Sequence, residues 1–249
     1  MHPHTYPLMT DILEVNALSK TFGKLKAVND LSFTLGKGEI LGMMGPNGAG
    51  KTTVFNLLTG TFLPDSGQVS FMGEDITKLS PSKRCKKGIG RTYQIPQPFN
   101  KLTVYENLLV GAVHGGGLSE RKARPQIDDI LNIVGLYSKK NQLAAGLPLL
   151  NRKALELGRA MATNPHLILL DEVAGGLTES ETENILQIVK AINDRGVSII
   201  WIEHILMTMS RGVDRLLVIT QGSYLTSGLP SEVMNSKKVL ESYLGEEDE

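Results

Sequence analysis

The stretch Gly45-Pro46-Asn47-Gly48-Ala49-Gly50-Lys51-Thr52 decides the reading of this chain, because it fits the pattern GxxxxGK[ST] at every required position. The apolar run Ile40-Leu41-Gly42-Met43-Met44 before it suits a buried strand, and Thr52 to Leu58 after it suits a helix. Glycines at 45, 48 and 50 permit positive φ and close approach, so successive N–H groups and a helix N-terminus are expected to surround polyphosphate oxygens. Pro46, Asn47 and Ala49 complete that cradle, and Thr53 follows it. The motif puts the Lys51 ammonium at the β- and γ-phosphates and the Thr52 hydroxyl on Mg²⁺. An ordinary glycine-rich turn is the competing reading, and it does not call for a strand before and a helix after.

Composition narrows the class further. A chain of 249 residues buries a sizeable core, and one domain is expected. Lys plus Arg and Asp plus Glu both total 26, so no global basic field argues for nucleic acid. The single Cys85 excludes an internal disulfide and a Cys-based zinc site, and it suits a reducing cytoplasm. His2 and His4 read as part of a tail over residues 1–10 rather than as metal ligands. No stretch reaches the ~18 to 20 uninterrupted apolar residues of a membrane span, and no signal peptide is evident. A role at a membrane then needs a partner.

Residues 12–18 and 31–35 alternate as half-buried strands do, and an antiparallel sheet is expected from them. Phe22 lies between them, placed either to stack on a nucleotide base or to cover the sheet edge. Pro64-Asp65-Ser66-Gly67 is turn chemistry before a strand with Val69 and Phe71. Ser80-Pro81 starts a helix whose Lys83, Arg84, Lys86 and Lys87 read as a solvated face. Residues 89–94 read as a strand ending at Gln94, and Pro96 and Pro98 then forbid regular structure.

Thr103-x-x-Glu106 is a capping box, and His114-Gly115-Gly116-Gly117 reads as a flexible break. Apart from that break, about 100–163 reads as helical, a shift from the strand-rich flanks. Leu167-Ile168-Leu169-Leu170 reads as a central parallel strand delivering Asp171 and Glu172 to the edge that carries the phosphate loop. Thr178-x-x-Glu181 caps the next helix, and the run 197–202 is a buried strand ending at Glu203-His204.

Together, the phosphate loop, Tyr93-Gln94 before a helical insert, Leu-Leu-Asp171-Glu172 and Ile-Glu-His204 resemble the ATP-binding subunits of ABC transporters over nearly the whole chain. The run Gly-Pro-Asn-Gly-Ala-Gly-Lys-Thr-Thr-Val-Phe-Asn, the segment Gly90-Arg91-Thr92-Tyr93-Gln94 and the closing residues 239–245 resemble the branched-chain amino-acid uptake group; importers of amides or urea are similar. The resemblance implies an α/β fold: a RecA-like P-loop NTPase core, about 11–94 and 164–245, with an N-terminal antiparallel β subdomain and an inserted α-helical subdomain, about 95–163.

It also implies roles. ATP and Mg²⁺ are the cofactors, with Lys51 on the β- and γ-phosphates, Thr52 and Gln94 on Mg²⁺, and Asp171 holding that ion through water. Glu172 polarises the attacking water, His204 contacts the γ-phosphate, and Phe22 stacks on adenine. The implied partners are permease subunits, a second ATP-binding subunit and, indirectly, a solute-binding protein, at the inner face of the cell membrane and with no nucleic acid.

Where the family reads Leu-Ser-Gly-Gly-Gln, this chain has Leu147-Pro148-Leu149-Leu150-Asn151. Pro148 removes a hydroxyl and a backbone donor, and Leu149 and Leu150 put bulk where glycines let a backbone approach phosphate. A helix from Asn151 still offers its N-terminus. Val173 stands where a proline is usual, and Thr178 where an acidic or amide residue is usual. Because the family's signature serves the partner's phosphate loop, the resemblance favours a heterodimer with unequal sites, this chain's own being the competent one.

Overall fold

The computed structural model describes residues 11–244; the tail expected over 1–10, His2 and His4 included, lies outside the described residues. In chain order the elements are β1 (Asp11–Phe22), β2 (Leu25–Gly36), β3 (Ile40–Met44), α1 (Lys51–Thr59), β4 (Ser66–Phe71), β5 (Glu74–Asp75), α2 (Pro81–Lys86), β6 (Ile89–Arg91) and α3 (Val104–Val110). They continue with α4 (Glu120–Ile133), α5 (Leu149–Ala162), β7 (Leu167–Asp171), α6 (Glu179–Asn193), β8 (Ser198–Ile202), α7 (Leu206–Gly212), β9 (Arg215–Thr220), β10 (Ser223–Gly228), α8 (Pro230–Met234) and α9 (Lys237–Leu244).

Apolar runs bounded by turn residues become central strands: every residue of β3, β7 and β8 is buried. They sit in a six-stranded sheet ordered β10-β9-β3-β8-β7-β6, parallel except for β10, which pairs antiparallel with β9. Side chains alternate across it. Ile168 and Leu170 of β7 enter a cluster shared with α3 to α6, whereas Leu167 and Leu169 enter a second cluster with α1 and the antiparallel strands. Those strands form a four-stranded sheet ordered β2-β1-β4-β5. The parallel register aligns both Met43 and Asp171 with Ile202, so β3, β7 and β8 end at one edge and deliver the segments that follow them to one place.

Several expectations need correction. β1 and β2 run well beyond 12–18 and 31–35 because register shifts, with Ala17 and Asp30 at positive φ, break the alternation that marks a strand. Ser32 and Ser19 satisfy those irregularities, their hydroxyls accepting from Ala17 N at 2.8 Å and Asp30 N at 3.0 Å. β6 stops at Arg91 rather than Gln94. Thr92 N still donates to Leu169 O at 2.9 Å, but the Thr92 hydroxyl then takes over the ladder by accepting from Asp171 N at 3.2 Å, so Gln94 stands on a loop.

Arg84 is not on a solvated face. It is 1% exposed, and its guanidinium donates to the carbonyls of Leu57, Leu58, Thr77 and Leu79 at 2.6 to 3.0 Å. Two of these acceptors are in the last turn of α1, where carbonyls lack intrahelical donors. The expected break at 114–117 is different too, since residues 111–115 prolong α3 as a π-helical turn. A Cβ at Gly111 would lie 2.9 Å from Arg159 O, and one at Gly115 would lie 2.6 Å from the Thr163 side chain. These glycines permit close packing on α5 and its C-terminal turn rather than flexibility.

Both capping boxes form: Thr103 with Glu106 at α3, and Thr178 with Glu181 at α6.

Candidate active site

The phosphate loop is braced from behind. Gly45 and Gly50 have φ of 154° and 99°; a Cβ on the first would lie 2.1 Å from Ile219 O, and on the second 2.3 Å from Ala27 O. Both positions therefore demand glycine. The turn after β9 closes on the loop, Gly222 N donating to Ala49 O at 3.0 Å, and it holds β2 through Asn29 N to Gly222 O at 2.8 Å. Ala49 is buried, while Asn47 and Gly48 are exposed. Pro46 O accepts from Ala49 N at 3.2 Å, making the turn that curves the loop.

Gly50 caps α1 in a left-handed conformation and no side chain covers that helix end, a geometry that attracts anions. Lys51 folds back over the loop, its Nζ donating to Gly45 O at 2.6 Å and Pro46 O at 2.8 Å. Thr52 is exposed on the first turn of α1, with Thr53 half-buried beside it.

The carboxylates arrive on β7. Asp171 is buried, and its Oδ2 accepts from Arg91 Nη2 at 3.1 Å. Burial raises its pKa, against the pull of Arg91. Glu172 has a left-handed backbone, φ 48°, a conformation that costs a non-glycine residue about 1–2 kcal/mol and that marks functional positions. Its N–H donates to Ile202 O at 2.9 Å. Its carboxylate is gripped on both sides, Oε2 accepting from Gln94 Nε2 at 2.6 Å and Oε1 meeting His204 Nε2 at 2.9 Å. Three residues remote in sequence, Gln94, Glu172 and His204, thus form one cluster.

Phe22 ends β1 at a hairpin tip. Its ring is 41% exposed, meets Phe62 edge-on at 5.2 Å and lies 5.6 Å from Lys20 Nζ.

Three neighbours were given no role by the sequence, although Arg91 and Glu203 stand within stretches it singled out. Arg91 donates to Asn56 Oδ1 at 2.6 Å as well as to Asp171, so it ties α1 to β7. Lys153, buried on α5, donates to Glu172 O at 3.0 Å. Glu203, buried at the end of β8, accepts from Ala174 N at 2.7 Å and His204 N at 3.1 Å. Burial lowers the Lys153 pKa and raises that of Glu203. A charged residue beside a strand end reads as turn chemistry until the fold shows which way it points.

The altered signature caps α5 differently from the expectation. The helix begins at Leu149, not Asn151, and Pro148 supplies no side-chain cap. Leu149 is 43% exposed, Leu150 packs on the helical core, and Asn151 Oδ1 accepts from Lys139 Nζ at 2.9 Å. Val173 is buried in that same core.

A glycine-lined anion cradle at the edge of a parallel sheet, with a carboxylate pair delivered to the same edge by the next strand but one, defines the class of P-loop nucleotide hydrolases. The chain belongs to the ABC transporter family, whose model matches residues 28–175. It is 37% identical to the high-affinity branched-chain amino acid transport ATP-binding protein BraF of Pseudomonas aeruginosa, over 94% of this chain and 98% of the relative. It is 33% identical to the lipopolysaccharide export system ATP-binding protein LptB of Haemophilus influenzae, over 95% and 98%.

Among solved structures it superposes with TM-score 0.88 on the ADP conformation of an ATP-binding cassette of an ABC transporter, at 32% identity and over 94% and 99% of the two chains. This chain is therefore an ATP-binding, ATP-hydrolysing subunit of an ABC transporter. Among the described residues no helix is long and apolar enough to cross a membrane.

Proposed function

We propose that this subunit powers an importer of branched-chain or other hydrophobic amino acids. The observation that carries hydrolysis is the Glu172 carboxylate held between Gln94 and His204 at the strand edge that also carries the phosphate loop. The near end-to-end similarity to a branched-chain amino acid transport protein supports the cargo class. The similarity to a lipopolysaccharide export protein is the reason cargo is tested rather than assumed.

Residues 45–53 bind the polyphosphate of ATP, with Lys51 turning from its loop carbonyls to the β- and γ-oxygens and Phe22 stacking on adenine. Glu172 accepts hydrogen-bonding from the attacking water as its oxygen bonds to the γ-phosphorus and the bridging oxygen leaves with ADP. His204 steadies the γ-phosphate. Positioning and preformed polar groups supply most of the rate.

The Thr52 hydroxyl, the Gln94 amide oxygen and the Asp171 carboxylate are hard oxygen donors and fit Mg²⁺ held partly by water and phosphate. Mg²⁺ bound there would neutralise phosphate charge. Arg91 pairs with Asp171 at 3.1 Å and so holds that carboxylate in place.

The unit spans about 11–245 with its helical insert at about 95–163, at the inner face of the membrane. Its partners are permease subunits, a second ATP-binding subunit and, through the permease, a solute-binding protein. Leu149 and Leu150 at the start of α5 favour a heterodimer in which this chain's own phosphate loop meets an unaltered signature. A second reading, nucleotide-gated assembly with little hydrolysis, rests on Pro148 and Leu150, and the cluster of Glu172 with Gln94 and His204 argues against it.

Co-purification with the membrane partners, reconstitution in vesicles and ATPase assays with binding protein loaded with leucine, isoleucine or valine test the reading. Stimulation by these solutes supports it, and no stimulation, with stimulation by urea or amides instead, rejects the cargo. Equal ATPase losses from Glu172→Gln here and from the matching change in the partner subunit reject the unequal sites.

A further inference from the structure

We propose that Lys153 and Glu203 are positioning residues that together set where Glu172 and His204 stand. The proposal rests on the reading of Glu172 given above. β7 and β8 are adjacent strands, but beyond Asp171 and Ile202 their chains leave the sheet, and the bond from Glu172 N to Ile202 O is the last rung between them. The carboxylate of Glu203 bridges what the ladder no longer holds. One oxygen accepts from Ala174 N in the turn that follows β7, at 2.7 Å, and the other from His204 N in the segment that follows β8, at 3.1 Å. One side chain, 2% exposed, therefore pins both segments that present the cluster.

A buried carboxylate needs a counter-charge. Lys153, 4% exposed, supplies it: its ammonium lies close enough to act electrostatically on both Glu203 and Glu172, and it donates to the Glu172 carbonyl at 3.0 Å. Glu172 is the residue with φ 48°, a backbone that neighbours must hold in place, and its carbonyl is where Lys153 holds it. The carboxylate of Glu172 is left to Gln94 and His204.

Lys153 also lies one turn inside α5, the helix that opens with the altered Pro148-Leu149-Leu150 stretch. Any displacement of α5 relative to β7 acts on the Glu172 backbone through this bond. The start of α5 and the hydrolytic carboxylate are thereby linked within one subunit.

The test uses this chain assembled with its second ATP-binding subunit and permease, and compares wild type with Lys153→Met, Lys153→Arg, Glu203→Gln and Glu172→Gln in this chain. Two readouts are taken, hydrogen exchange of 172–175 and 203–206 without nucleotide, and ATP hydrolysis with MgATP, split into kcat and KM.

Lys153→Met is expected to raise exchange in both segments and to lower kcat about 100-fold, the scale of a misplaced catalytic group, with KM changed less than about threefold. Lys153→Arg, which keeps the charge, is expected to recover most of that loss. Glu203→Gln, which offers one acceptor to two N–H donors, is expected to show the same split, and it keeps the proposal testable if Lys153→Met fails to fold.

Wild-type kcat in Lys153→Met or in Glu203→Gln, or a loss that Lys153→Arg leaves uncorrected, overturns the proposal. Hydrolysis retained by Glu172→Gln would instead reject the role of Glu172, while hydrogen exchange still decides whether Lys153 and Glu203 hold the two segments.

Discussion

Replacing Arg84 by Met removes a buried cation and keeps a long apolar stem. Four carbonyls, of Leu57, Leu58, Thr77 and Leu79, lose the guanidinium at once, Leu57 O keeping only Gly60 N, and two of them terminate the helix that follows the phosphate loop. Burial pulls the guanidinium pKa down to about 10, still far above neutrality, so all four bonds are charge-assisted at pH 7. Bonds to a charged group are worth about 1.5–3 kcal/mol each, which for four gives roughly 6–12 kcal/mol. Recovery of the several kcal/mol spent on desolvating the guanidinium leaves a net loss of about 3–5 kcal/mol.

At about 2–4 °C per kcal/mol for a chain of this size, the midpoint falls by roughly 6–20 °C. Circular dichroism melts, supported by urea titrations, measure it. Arg84→Lys should recover only part of the loss, because a compact ammonium does not span the four acceptors. A loss below about 1 kcal/mol in Arg84→Met refutes the reasoning and returns Arg84 to the surface role that its basic neighbours suggest.

Three further outcomes are expected. Gly50→Ala should lose nucleotide binding in a fluorescent-ATP titration while the far-UV spectrum is kept, because its Cβ would stand 2.3 Å from Ala27 O at a φ of 99°. Gly111→Ala, whose Cβ would meet Arg159 O at 2.9 Å, should cost about 1–3 kcal/mol in urea unfolding as α3 is pushed off α5. Burial raises the Glu203 pKa above its ordinary 4.5, so the native state binds a proton that the unfolded state releases. Its contribution to stability is then full below about pH 4.5 and is lost as pH rises through the higher folded value. The stability of wild type relative to Glu203→Gln should therefore be greatest in acid and decline toward neutrality, and urea titrations at stepped pH check the sign.

Much of this architecture was legible because its signals are local. A phosphate loop between an apolar strand and a helix, two capping boxes and apolar strands ending in acidic residues each state their meaning within a few residues, and the parallel sheet then carries them to one edge. What stayed hidden depends on residues distant in sequence. Arg84 reads as one basic residue among several until α1 is packed beside α2. Gly115 and Gly116 read as part of a break because what they pack against, Ala162 and Thr163, lies far along the chain.

β1 reads short because bulges interrupt the alternation used to recognise strands. At the site, Gln94, Glu172 and His204 were named from a family resemblance, but their shared hydrogen bonds and the buried Lys153 and Glu203 beneath them required the fold.

The central claim is that Glu172 drives hydrolysis of ATP bound by residues 45–53. Single-turnover hydrolysis by the complex assembled with the second ATP-binding subunit and permease, at saturating protein, wild type against Glu172→Gln in this chain, with ATP affinity measured in parallel, tests it most directly. The account predicts that Glu172→Gln binds ATP with affinity near that of wild type while the hydrolytic rate falls by about 10²- to 10⁴-fold, the range for losing a general base. A variant that hydrolyses ATP within about threefold of wild type, the scatter of such rates being well below one factor of ten or 1.36 kcal/mol, contradicts it.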